Sequence, residues 1–180
     1  MGTIFVAGSY GVGKSTLCEN LSRKTAIPFY SAGDLISKVN GETYGSNKVV
    51  SDKVANQDIL SGEINKILKV SPHILLAGHF CIFNKSNQVE YLPATVFPDL
   101  HIETILLLEA DSERIVKNLG MRDGKEYAMQ EIQKLIAAEN AYAQEISKKI
   151  SCPLRVYHMQ FNEHDVDTCL GILRKEMPGK

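Results

Sequence analysis

Near the amino terminus the chain reads Gly8-Ser9-Tyr10-Gly11-Val12-Gly13-Lys14-Ser15, and these residue types at this spacing are suited to hold a polyphosphate. They fill every fixed position of the pattern GxxxxGK(S/T), after the apolar run Ile4-Phe5-Val6-Ala7 and before Thr16-Leu17-Cys18. Glycines let the backbone curl until successive N–H groups converge on phosphate oxygens, and a following helix adds the positive end of its dipole. Lys14 then supplies a mobile positive charge to the β and γ phosphates, and Ser15 a hydroxyl ligand for magnesium. Residues Gly8 to Thr16 are therefore the expected ATP site.

Three other places hold side chains that could join this chemistry. Ser31-Ala32-Gly33-Asp34 follows the strand-like Ile27-Pro28-Phe29-Tyr30. Ligands of an open α/β sheet collect at the carboxyl ends of its strands, which makes Ser31, Gly33 and Asp34 candidates for a second substrate. The same residues also spell a helix start, with Ser31 as N-cap and Asp34 as a first-turn charge. His79 comes two residues after His73-Ile74-Leu75-Leu76-Ala77, where it would face the same crevice as Lys14. A histidine so placed serves either catalysis or a structural hydrogen bond. Arg122, within Gly120-Met121-Arg122-Asp123-Gly124, could swing over a triphosphate on its glycine-flanked backbone, or could pair only with Asp123 in a solvated turn. The first reading is favoured, because phosphoryl transfer needs dispersed positive charge and the chain's other arginines are Arg23, Arg114, Arg155 and Arg174.

The elements that must position these residues alternate short β-branched runs with helical patterns, which predicts α/β architecture with a parallel sheet. Strands are expected at 4–7, 27–30, 73–77 continuing toward 83, 104–109 and 154–158. Helices are expected at 14–24, 35–40, 54–70, 112–119, 127–150 and around 166–173. A turn at 84–87 would join 81–83 to 89–91 in a small surface hairpin. The arrangement is a three-layer α/β/α fold with five parallel strands in one domain over 1–180. A flap-like insertion is expected at about 34–70, including the polar stretch 41–47, and a short lid at about 117–127. Pro178-Gly179-Lys180 reads as a frayed tail.

With 180 residues, 44% hydrophobic and 23% charged, the composition is that of one ordinary globular domain. A net charge of −1 gives no global pull toward nucleic acid, and no apolar run reaches the length of a membrane span. A cytoplasmic setting is the expectation. Cys18, Cys81, Cys152 and Cys169 form no CxxC pair and read as reduced, structural thiols.

With these pieces placed, the chain resembles the small nucleoside-monophosphate kinases of the phosphate-loop (P-loop) NTPase class. Within that class it is most similar to the archaeal-type adenylate kinases and the related small nuclear adenylate kinases. The resemblance is carried by GSYGVGKST at 8–16, FYSAGDLI at 29–36, LLAGHFCIF at 75–83, TILLLEADSERI at 104–115 and GMRDG at 120–124. It implies ATP on Gly8 to Thr16, the monophosphate side on Gly33 and Asp34, His79 as the histidine of the strand-end motif, and Arg122 as the lid arginine. The chain departs from the family where Ala77 replaces the aspartate of that motif, and where Lys117 and Asn118 stand before Leu119 in place of a second arginine. Either Asp34 takes over the missing contact with the magnesium shell, or the acceptor is something other than AMP, or turnover is slow and binding is the point. The activity implied is ATP- and magnesium-dependent phosphoryl transfer to a nucleotide, nucleoside or similar small acceptor. A small-metabolite kinase and a slow ATPase working as a switch with a protein partner are the alternatives.

Overall fold

The apolar run ahead of the phosphate-binding octapeptide becomes strand β1 (Gly2–Ala7), buried along its whole length. It pairs in parallel with β3 (His73–Ala77) on one side and β6 (Ile102–Glu109) on the other. Strand β2 (Phe29–Ser31) flanks β3, and β7 (Leu154–His158) flanks β6. The computed structural model of the chain describes residues 2–40, 53–84 and 86–175, and among them five strands form one parallel sheet ordered β2-β3-β1-β6-β7.

Successive residues of a strand point to opposite faces, so a central strand needs apolar residues throughout. In β1, Phe5 and Ala7 join the core beneath α2 (Ala32–Asn40), α3 (Lys53–Leu68) and α5 (Met129–Lys149). Ile4 and Val6 join the opposite core beneath α1 (Lys14–Thr25), α4 (Ser112–Asp123) and α6 (His164–Arg174). The expected three-layer α/β/α fold with a five-stranded parallel sheet is the one observed.

Some local expectations change. The strand from 73 does not continue to 83. The chain leaves the sheet at Gly78, whose N–H donates to the Val6 carbonyl at 3.1 Å, and resumes as β4 (Cys81–Phe83), antiparallel to β5 (Val89–Tyr91). A Cβ on Gly78 would lie 2.5 Å from the Phe5 ring, so the chain can turn here only without a side chain. Helix α2 begins at Ala32 and takes the 31–34 turn into its first turn, while α4 runs through Gly120 and ends at Gly124, whose φ is 65°. The polar stretch 41–47 and the 178–180 tail lie outside the described residues.

All four cysteines are free and buried, as structural thiols should be. Burial pushes Cys18, Cys81 and Cys169 up to about 12 and Cys152 to about 11. No helix among the described residues is long and apolar enough to cross a membrane.

Gly78→Ala should destabilise the fold by about 1–3 kcal/mol through overpacking against Phe5. Urea denaturation measures this, and an unchanged midpoint would show that the Phe5 ring yields without cost.

Candidate functional site

Where β1 ends, Gly8, Gly11 and Gly13 adopt φ of 141°, 76° and 95°, conformations that L side chains rarely take. These glycines turn the loop so that Gly13 starts α1, whose first turn carries no acidic residue to compete for an anion. Lys14 is buried. Its Nζ donates to the carbonyls of Gly8 at 2.7 Å and Ser9 at 2.8 Å, so the lysine lies along its own loop. Asn118 of α4 closes the far side, its Nδ2 donating to the Gly11 carbonyl at 2.9 Å.

Behind the loop is a residue that sequence reasoning did not single out. Glu139 of α5 is fully buried, at 0% exposure. Its Oε1 accepts from the N–H of Gly8 at 3.2 Å and of Phe80 at 2.9 Å, and its Oε2 from Phe80 at 3.0 Å and Cys81 at 2.6 Å. Burial is the largest influence and pushes its carboxyl above the usual carboxylate range, opposed only in part by the Phe80 N–H, the charge of Lys14 and the N–H groups of Cys81 and Gly8. Every contact on both oxygens comes from an N–H, an arrangement that fits the ionised form. The available signal was a charged residue in the middle of the apolar stripe Ile132, Leu135, Tyr142, Ile146.

In front of the loop a cavity of about 660 Å³ runs across the carboxyl ends of the strands. The phosphate loop forms its middle through Lys14, Ser15 and Thr16. Ser31, Gly33 and Ile36 line one end together with Asn56 and Gln57 of α3, and Met159, Phe161 and Val166 line the other. His79 faces the cavity between them, its ring 4.3 Å from that of Tyr10, which in turn lies 6.1 Å from Phe83. Ala77 lines the floor where the strand-end aspartate was missed. The loop after β7 is shaped by Asp165, a second buried carboxylate that sequence reasoning passed over. It accepts from the Tyr157 hydroxyl at 2.7 Å and from the N–H groups of Gln160 at 3.0 Å and Asn162 at 3.2 Å. Arg114 lies 4.5 Å over the Phe161 ring.

Of the expected residues, the cavity thus gathers Tyr10, Gly11, Gly13, Lys14, Ser15 and Thr16 of the loop with Ser31, Gly33, His79 and Arg122, whereas Gly8, Ser9 and Val12 do not line it. Asp34 is corrected. It is exposed in the first turn of α2 and does not line the cavity, and its N–H donates to Ser31 Oγ at 3.4 Å, which realises the helix-start reading. Arg122 is corrected in setting. It lies in the last turn of α4, not between helices, because Gly120 is absorbed into the helix. Its Nε and Nη2 donate to the two oxygens of Asp123 at 2.6 and 2.7 Å, and Tyr127 donates its hydroxyl to the same carboxylate. Arg122 thus lines the cavity with its fork already engaged.

A positive-φ glycine loop, a lysine, a helix start and a two-ended cavity make a polyphosphate site with room for a second molecule. Residues 7–136 match the family model described as AAA domain. The chain belongs to this AAA domain family. No curated protein matches it. Among solved structures, a shikimate kinase from Bacteroides thetaiotaomicron superposes with a TM-score of 0.62 at 14% identity, over 97% of this chain and 96% of that one. A gluconokinase from Sinorhizobium meliloti 1021 gives 0.57 at 13%, over 97% and 92%. A shikimate kinase from Aquifex aeolicus gives 0.61 at 16%, over 96% of both chains. At these identities the likeness establishes the fold, which is that of a kinase-like P-loop domain.

The Arg122–Asp123 pair has a pH signature. The Arg122 guanidinium holds the Asp123 carboxyl down at about 2, below its ordinary 3.8. The pair's contribution to stability is therefore full above the ordinary value and lost as pH falls through about 2. Carboxyl-carbon NMR of Asp123 should give a midpoint near that low value in the wild type and an ordinary one in Arg122→Met. An ordinary midpoint in the wild type would mean that the pair does not persist in solution.

Proposed function

We propose that this AAA domain protein is a kinase that transfers the γ-phosphoryl group of ATP to a small acceptor. The observation that carries the reading is the single cavity that passes from the phosphate loop to a pocket walled by β2, α2 and α3. Its volume suits two small molecules held end to end. ATP would place its phosphates on residues Gly8 to Thr16 and its base toward Met159, Phe161 and Val166. The acceptor would lie between Ser31, Gly33, Asn56 and Gln57.

This chemistry is mostly positioning and charge stabilisation, and it asks for no side-chain nucleophile. Lys14 exchanges the carbonyls of Gly8 and Ser9 for phosphate oxygens. Arg122 leaves Asp123 to grip the transferring group from the lid side. His79 stands between donor and acceptor, where it can orient the acceptor's attacking hydroxyl. Ser15, in the first turn of α1 and lining the cavity, fits a magnesium ligand, and the ion would neutralise phosphate charge when bound. Asp34 has no part in this scheme. The described residues 34–40 and 53–70 would serve as a flap, and 117–127 as a lid.

The motifs shared with adenylate kinases support a nucleotide or nucleoside as acceptor. The hydroxyl and carboxamide groups of Ser31, Asn56 and Gln57 suit a hydroxylated metabolite equally well. The engaged states of Lys14 and Arg122 favour, as a second reading, a slow ATPase that switches with a protein partner. The protein incubated with ATP and magnesium should form ADP only when a panel of nucleosides, monophosphates and sugar or hydroxy acids supplies an acceptor. ADP formed slowly whatever the acceptor would support the switch. Lys14→Ala should lower acceptor-dependent turnover by about a hundredfold or more, and a mild loss would remove the lysine from the transfer.

A further inference from the structure

Glu139 is a buried ionisable group that the proposed transfer leaves unused. It occupies a core position on α5, where an apolar side chain could be buried without penalty and an ionised one gives up hydration worth several kcal/mol. A carboxylate is held in such a place only by dedicated donors, and these come from two separate pieces of the site. One is Gly8, which begins the phosphate loop. The other is Phe80 and Cys81, which directly follow His79. On the cavity side of the same joint, the ring of Tyr10 rests against that of His79. The loop bearing Lys14 and the turn bearing His79 are thus clasped from behind by one side chain and in contact in front. The rest of α5 needs no such clasp, because Leu135, Ala143 and Ile146 already hold it on the sheet.

We infer that Glu139 is a positioning residue for the nucleotide site, its carboxylate fixing the phosphate loop and the His79 turn relative to each other so that Lys14 and His79 meet one ligand. The kinetic part of this inference rests on the kinase reading, whereas its ATP-binding and spectroscopic parts do not. The hydrogen bonds give the claim its direction. Glutamine at 139 would keep the shape but turn an NH₂ toward backbone N–H donors, and aspartate would keep the charge but fall short by one methylene.

The test compares Glu139→Gln and Glu139→Asp with Ile146→Ala, a truncation two turns further along the same helix that removes no hydrogen bond of the clasp. Four quantities are read: the thermal midpoint, ATP affinity by calorimetry, the imidazole NMR signals of His79, and kcat and KM with an acceptor that turns over. Glu139→Gln should move the His79 signals, weaken ATP binding about tenfold, as losing one charge-assisted hydrogen bond would, and lower kcat about a hundredfold, as misplacement by an ångström does. Glu139→Asp should fall between it and the wild type. Ile146→Ala should lower the thermal midpoint but keep the His79 signals and the ATP affinity. Wild-type His79 signals and ATP affinity in Glu139→Gln, or in Glu139→Asp should the first variant not fold, would overturn the inference. So would the same losses in Ile146→Ala. If the wild type shows no acceptor-dependent turnover, the kinase reading falls, and the His79 and ATP-binding measurements still decide the role of Glu139.

Discussion

At the carboxyl edge of a parallel sheet the strands end in carbonyls and N–H groups that no further strand can match. Each one buried without a partner costs about 1–3 kcal/mol. In this chain helices and loops cover that edge, and side chains sent in from the helices meet the demand. Lys14 takes the carbonyls of Gly8 and Ser9, Asn118 that of Gly11, Glu139 the N–H groups of Gly8, Phe80 and Cys81, and Asp165 those of Gln160 and Asn162. The local shape of the site follows from this constraint. A loop whose outer bonds are met from behind can keep its remaining N–H groups for a ligand, and a lysine resting on carbonyl oxygens can move to phosphate oxygens with little change in chemistry.

What the sequence makes legible is whatever a local rule determines. The phosphate loop is spelled by three glycines, a lysine and a serine within eight residues, and the strand before it is apolar on both faces because both faces are covered. The strands 104–109 and 154–158 and the hairpin 81–83 with 89–91 follow from equally short patterns. Glu139 is different in kind. Its donors lie 131, 59 and 58 residues away, so nothing near position 139 announces them. Only the oddity of a charge inside a buried stripe hints at its role. Asp165 resembles a first-turn helix acid and is one, yet its oxygens serve the loop before the helix. Asn118, read as a missing arginine, is the cap of the phosphate loop.

The two residues whose setting changed did so through helix boundaries. Helix α2 starts earlier than its apolar pattern suggests, because Ser31 can accept from the N–H of Asp34, and this fixes Asp34 on the solvent side. Helix α4 ends later, at the left-handed Gly124, whose N–H donates to the Gly120 carbonyl at 2.9 Å. The helix therefore carries Arg122 one turn beyond Asn118, on the cavity side, next to the carboxylate that holds it. In the proposed transfer, an arginine so placed would engage phosphate by breaking a bidentate pair rather than by ordering a loose turn.

Ala77 stands where the motif resemblance to adenylate kinases would put an aspartate. An aspartate at the end of β3 would put a carboxylate in the cavity, in front of the phosphate loop. Here the floor at that point is a methyl group, and the nearby negative charge lies behind the loop, wholly buried and engaged by backbone N–H groups. A charge behind the loop cannot touch a ligand's metal shell, but it still offsets the charge of Lys14 and holds the loop's first residue in place. With its carboxylate behind the loop, Glu139 supports the loop's first residue and stays off the ligand side. In the proposed transfer Ser15 is left to meet the metal. The front of the cavity, freed of a fixed negative charge, takes its polarity from His79, Ser31 and the carboxamides of α3.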